Sequence, residues 1–270
     1  MPLDVNPSQR DTDMKQQLRK LLLSCQSDYP VIVKVKDRGY AMVRRWLRVP
    51  HEHEFNVLKL IPSTLKGCYV DIGANKGQSI QSILLFRPTE EIISFEPNPL
   101  LAEQLVTRYR NRPNVRLIGK GLSDEVGTFC LFVPKYKRLP CYDLASLSRE
   151  AAETWINQDR VYGFDPSKLQ VSKVQCSVSR LDLYGLSPVF IKIDVQGTEY
   201  NVLAGALKTL QRCEPIVVVE DYRGNSKTVQ LMEGLGYEEY CLEGGVLKQG
   251  RTHGDNSLLI TPSRMRDLRL

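Results

Sequence analysis

The sequence predicts an α/β fold built on a mostly parallel sheet. Three observations predict it. Tyr69-Val70-Asp71-Ile72-Gly73-Ala74-Asn75-Lys76-Gly77-Gln78 reads as strand, tight turn and helix, with Ile80, Ile83 and Leu84 on one helical face. Glu91 to Glu96 is a second strand ending in an acid, and Asn98-Pro99 opens the next helix as cap and first residue. Val189-Phe190-Ile191-Lys192-Ile193-Asp194 is an apolar central strand that also ends in an acid.

Composition sets the frame. The chain has 270 residues, 42% apolar and 25% charged, as in a globular protein. No apolar run approaches the ~20 residues of a membrane span. No basic, apolar and small-residue leader opens the sequence, so a cytoplasmic location is expected. The seven cysteines form no CxxC motif and read as reduced core residues. Net charge is +6, and residues 1–66 carry 12 Lys/Arg against 7 Asp/Glu. So modest an excess reads as a solvated surface, and no nucleic acid is expected.

Residues 1–10 read as disordered. Thr12 to Cys25 is a helix with Leu18, Leu21, Leu22 and Cys25 on one face. Val31 to Lys36 alternates as a strand, Asp37-Arg38-Gly39 is a turn, and Tyr40 to Trp46 a second strand. Residues 1–50 thus form a helix and hairpin extension, with a substrate-side role and a homo-oligomer contact both open. His51 and His53 lack a third metal ligand and a helical spacing, so a helix start before Phe55 is preferred.

The turn after strand 1 lacks the third glycine of a dinucleotide fingerprint. Asp71 before it would repel a pyrophosphate, while its carboxylate suits an amino group. Gly73 and Gly77 let turn amides approach a ligand closely. Glu96, 25 residues after Asp71, is placed to accept both hydroxyls of a ribose. A phosphate-free nucleoside with an amino-acid tail fits both acids, and S-adenosyl-L-methionine is such a molecule. The competing readings are an ordinary strand-helix turn and a solvated strand end.

Strand 3 lies near Val115 to Ile118. Gly127 to Val133 and Leu169 to Val178 are strand-like and able to pair, with a short helix over Ser148 to Asn157 between them. This 127–187 insertion between strands 3 and 4 is expected to form much of the acceptor pocket. Lys192 in a central strand needs a partner, and Asp71 or Asp194 is expected to supply it. Strand 5 is Ile216 to Glu220, strand 6 about Tyr237 to Leu242, and strand 7, antiparallel, about Ser257 to Ile260.

Asp71-Ile72-Gly73-Ala74-Asn75, Phe95-Glu96-Pro97-Asn98-Pro99, Leu122-Ser123-Asp124, Lys192 to Glu199 and Leu203-Ala204-Gly205-Ala206 resemble, in order and spacing, the FkbM family of S-adenosylmethionine-dependent methyltransferases. The resemblance covers about residues 50–262. It implies a Rossmann-like class I methyltransferase fold, with a seven-stranded mostly parallel sheet whose last strand is antiparallel, over 51–270. It also implies O-methylation of a hydroxyl of a sugar, polysaccharide or secondary metabolite.

Under it, the cofactor-binding residues are Asp71, Gly73, Ala74, Asn75, Gly77, Gln78, Glu96, Pro97, Asn98, Ser123, Asp124 and Asp194, with Ser123 and Asp124 near the adenine. Candidates for taking the acceptor proton are Asp194, Glu199 and His253, with Asp194 first. The family often has Glu where Gln196 stands, and Gln cannot act as a base. Two other readings stay open: a divalent metal held by Asp194, Glu199 and Glu220, and a cofactor-binding scaffold without turnover.

Overall fold

The computed structural model describes residues 7–251 and 254–268. The chain divides into two compact units. One comprises Met1–Met42 and Cys130–Val174; the other comprises Val43–Phe129 and Gln175–Leu270.

The chain begins with α1 (Pro7–Asp28) and α2 (Val31–Leu47), then a 3-10 turn at His53–Lys59. β1 (Cys68–Ile72), α3 (Gln78–Phe86), β2 (Ile92–Phe95), α4 (Pro99–Tyr109) and β3 (Val115–Ile118) alternate as expected. β4 (Gly121–Leu122), β5 (Gly127–Tyr136), β6 (Leu139–Pro140), α5 (Arg149–Thr154) and β7 (Leu169–Ser179) follow. The alternation resumes with β8 (Pro188–Ile193), α6 (Glu199–Ala204), α7 (Leu207–Cys213), β9 (Ile216–Glu220) and α8 (Ser226–Gly234). β10 (Glu238–Glu243), β11 (Val246–Gln249), β12 (Asn256–Ile260) and α9 (Pro262–Asp267) close the chain.

The main sheet has eight strands in the order β11-β10-β12-β9-β8-β1-β2-β3. β3, β2, β1, β8 and β9 are mutually parallel. β12 runs antiparallel to both β9 and β10. The expected seven strands are all present; the eighth, β11, is an edge strand returned against β10 after Gly244-Gly245. Every residue of β1 and β8 is buried, as parallel strands covered on both faces must be. One face packs Tyr69, Phe190 and Val218 against Phe55, Ile80 and Ile83. The other packs Val70, Ile191 and Val217 against Val202, Leu203 and Met232.

The second sheet has the order β4-β7-β5-β6, so the two strand-like runs of the insertion do lie side by side. Ser148 accepts from the Ala151 N–H at 3.3 Å and caps α5. In its own unit, α1 meets the insertion where the Tyr162 N–H donates to Ser24 Oγ at 2.9 Å, and Lys137 pairs with Asp28 at 2.8 Å.

The expected hairpin at 31–46 is not formed: one continuous helix, α2, runs through Asp37-Arg38-Gly39. Val31, Val35, Met42 and Trp46 recur at helical spacing, and that period outweighs the short alternation of Val31 to Lys36. The cysteine reading also needs amending. Cys68 and Cys176 are buried, but Cys25 is exposed.

Candidate active site

β1 delivers Asp71 and the turn after it to the carboxyl edge of the sheet. Gly73 has φ 88°, and a Cβ there would fall 1.8 Å from the Asp194 carbonyl oxygen. Only glycine fits so close a backbone approach. The Gly73 and Ala74 amides both donate to the Phe95 carbonyl, at 3.0 and 3.1 Å. The Asn75 amide donates to Glu96 Oε2 at 2.7 Å, and the Gly77 amide to the Ala74 carbonyl at 2.7 Å. The turn was expected to aim amides at a ligand; the structure turns these four inward. They are not an outward anion cradle of the kind a pyrophosphate needs. Gln78 follows as the first residue of α3.

Glu96 is buried at the end of β2. Its Oε1 accepts from the Asn98 N–H at 2.8 Å and its Oε2 from Asn75. Burial raises its pKa, against the pull of those two amides. The two bonds fix the carboxylate and leave lone pairs for further donors. Pro97 leads into Asn98, which caps α4 by accepting from the Leu100 N–H at 3.1 Å. The Asn98 Nδ2 group is buried without a partner.

Asp71 was expected to face the crevice, but it is fully enclosed. Its β neighbours in register are Ser94 on β2 and Lys192 on β8. The Ser94 hydroxyl donates to Asp71 Oδ2 at 2.8 Å, while Oδ1 is buried without a partner. Burial pushes the Asp71 pKa up to about 7. Lys192, also enclosed, does not pair with Asp71 or Asp194 as expected. Its Nζ contacts Glu52 Oε2 at 3.1 Å and donates to Asn256 Oδ1 at 2.7 Å. Glu52 precedes the 3-10 turn, whose Phe55 packs on Phe190, ring centroids 5.7 Å apart. That packing brings a carboxylate over β8.

Asp194 and Glu220 end adjacent parallel strands. Gln196 Nε2 donates to Asp194 Oδ1 at 3.1 Å and to Glu220 Oε2 at 3.0 Å. A hydrogen bond with Asp194, followed by burial, pushes the Glu220 pKa up to about 8. Gln196, discounted as a base, is the bridge that holds the two carboxyls.

Glu199 is buried, and its Oε1 accepts from the Gly197 N–H at 2.9 Å. It shapes the loop after β8 rather than joining Asp194 and Glu220. Among the described residues, no group of three or more His, Cys, Asp or Glu could hold a metal ion. Ser123 and Asn201 both donate to Asp124 Oδ1, at 2.9 Å each. Those bonds, Asn201 first, lower the Asp124 pKa. The Ser123-Asp124 turn also lies against Gly205, where a Cβ would fall 1.9 Å from the Ser123 carbonyl oxygen. His253 lies outside the described residues.

Sequence reasoning passed over Glu52 and treated His51 only as a metal ligand. The His51 N–H donates to Ser82 Oγ at 2.8 Å, and its Nδ1 pairs with the Arg44 guanidinium. Burial and then Arg44 lower its pKa. The anomalous lysine in a central strand was the signal that some acid had to fold back over the edge.

The sheet order, with acids gathered at its carboxyl edge, defines a Rossmann-like α/β fold. Residues 71–239 match the family described as the Methyltransferase FkbM domain, more than half of the chain, and the chain belongs to that family. It is 26% identical over 150 residues to a curated 2-O-methyltransferase, NoeI, of Sinorhizobium fredii (strain NBRC 101917 / NGR234). That match covers 53% of this chain and 58% of NoeI, so the chain spans less than two thirds of that relative. Among solved structures it resembles a methyltransferase FkbM from Methylobacillus flagellatus KT, at 16% identity and a TM-score of 0.43. That likeness covers 72% of this chain and 43% of the other. A precorrin-6y C5,15-methyltransferase from Geobacter metallireducens GS-15 gives 14% identity and a TM-score of 0.37, covering 77% and 83%.

Proposed function

We propose that this chain binds S-adenosyl-L-methionine along the carboxyl edge of β1, β2 and β8 and methylates a hydroxyl of a sugar, polysaccharide or secondary metabolite. One observation carries the reading: the backbone contact of Gly73 with Asp194, which joins the cofactor turn to the acid best placed to receive a proton. The residues fit the cofactor. Glu96 is a fixed carboxylate with accepting capacity to spare, and Asn98 Nδ2 is a buried polar atom awaiting a partner. Glu96 would hold the ribose hydroxyls, and the Ser123-Asp124 turn the adenine. Asp71, below the surface, would polarise the turn from beneath rather than touch the amino group.

When bound, the cofactor supplies a methyl group activated by a sulfonium. The chain's own work is alignment and proton removal. Asp194 accepts the proton of the attacking hydroxyl on its carboxylate. Gln196 orients that carboxylate through Oδ1 and ties it to Glu220 Oε2. The relative that acts as a 2-O-methyltransferase supports oxygen as the acceptor atom.

The test is calorimetry with S-adenosyl-L-methionine against NAD, followed by transfer of labelled methyl to a panel of hydroxyl compounds. Binding of the first alone, with label in an ether product, is expected. NAD binding, or label only on nitrogen or carbon acceptors, would overturn the reading.

A further inference from the structure

Helix α2 carries its apolar side outward. Val31, Val35, Met42 and Trp46 recur on one stripe and are 64, 66, 73 and 81% exposed. Ile32 and Val43 widen that stripe and are exposed too. The less exposed positions are Val33, Asp37, Ala41 and Arg44, which fall together on the opposite side. A helix serving only its own chain turns its apolar stripe inward. Here the sheltered side is mixed, Val33 and Ala41 beside Asp37 and Arg44, while the wholly apolar stripe stays outside. The exposed apolar area is on the order of several hundred Å², a size that marks an interaction surface.

Charge identifies the occupant. α2 carries Lys34, Lys36, Arg38, Arg44 and Arg45 against a single acid, Asp37. Exposed Arg38 and Arg45 border the stripe on one side and exposed Lys36 on the other. Pairing two copies across this face would bring like charges together. An anionic bilayer instead takes the apolar stripe among its acyl chains while its headgroups meet the flanking cations. Among the described residues, no helix is long and apolar enough to cross a membrane, so the geometry is that of a helix lying on one.

We propose that α2 is an interfacial helix that binds the full chain to anionic lipid surfaces, independently of the methyl-transfer reading. The test is flotation of the full chain with phosphatidylcholine vesicles, with and without about one third phosphatidylglycerol. Co-flotation with the anionic vesicles alone, weakened by salt, is expected. The double variant Met42→Glu/Trp46→Glu is expected to lose at least about tenfold in binding, and Lys36→Gln/Arg38→Gln/Arg45→Gln to lose as much. All five positions are exposed, so circular dichroism melts should be unchanged. In a Trp155→Phe background the remaining Trp46 emission should shift to the blue on anionic vesicles. Absence of flotation, or flotation indifferent to both variants, would overturn the proposal. So would a dimer that Met42→Glu/Trp46→Glu dissolves in a chain that ignores vesicles, which would assign the face to a second copy.

Discussion

Gly73 and Asp194 touch backbone to backbone: the Asp194 N–H donates to the Ile72 carbonyl at 3.0 Å, and no side chain fits between residue 73 and the Asp194 carbonyl. The turn after β1 and the acid after β8 therefore move as one piece. Gly73→Ala must both widen that gap and hold alanine at a left-handed φ of 88°. A loss of about 2 kcal/mol or more in unfolding free energy is expected by urea titration, with weaker S-adenosyl-L-methionine binding in calorimetry. Wild-type stability in Gly73→Ala would mean the strands can slide apart freely.

Glu96 should matter for affinity more than for folding. Glu96→Ala is expected to weaken S-adenosyl-L-methionine binding by roughly tenfold to a hundredfold, the worth of hydrogen bonds to a charged group. Titration calorimetry reads this directly. Unchanged affinity would remove Glu96 from the site.

Asp194→Asn keeps the shape of the loop and removes the proton acceptor. A fall in kcat of about a hundredfold or more is expected, with cofactor affinity within a few-fold of wild type. Equal losses in both would show that Asp194 binds rather than accepts a proton.

Lys192 sits in the sheet with its charge met by Glu52 and Asn256. Lys192→Met leaves Glu52 without its cation, and a loss of about 3 kcal/mol is expected. Adding Glu52→Gln should recover part of it, a coupling that denaturation of the two single variants and the double variant measures.

Buried Asp71 gives stability a pH slope. Its folded pKa, about 7, stands above the ordinary aspartate value of 3.8 because burial penalises the charge. The folded chain thus binds more protons than the unfolded chain between those values. Stability from this group is full below the unfolded pKa and is lost as pH rises through the folded one. The loss should amount to a few kcal/mol at most, given ~1.4 kcal/mol per pKa unit. Melts taken from pH 5 to pH 8 should show the decline, and Asp71→Asn should flatten it.

Local signals were legible in the sequence. The turn at Gly73, the acid at 96 and the Asn98 cap follow from residues within a few positions of one another, so their chemistry reads off directly. α2 was not, because Val31-Ile32-Val33-Lys34-Val35-Lys36 satisfies a strand period over its first six residues and a helical one only over all of α2. β11 was not, because a short edge strand buries little and leaves a weak pattern. In the site, Asp71 was identified but its enclosure was not, and Glu199 was named without its bond to the Gly197 amide, which forms only once the loop after β8 is folded. The partner of Lys192 could not be read, because the contact depends on Phe55 docking onto β8, a tertiary event with no sequence period of its own.

The clasp around Lys192 also sets how far the family domain can be trimmed. The family match begins at residue 71 and ends at 239, yet both groups that answer the ammonium, Glu52 and Asn256, lie outside it. A fragment cut to the homologous borders would carry an orphan cation in its central strand. A fragment that keeps both partners of Lys192 must start upstream of 52 and run past 256.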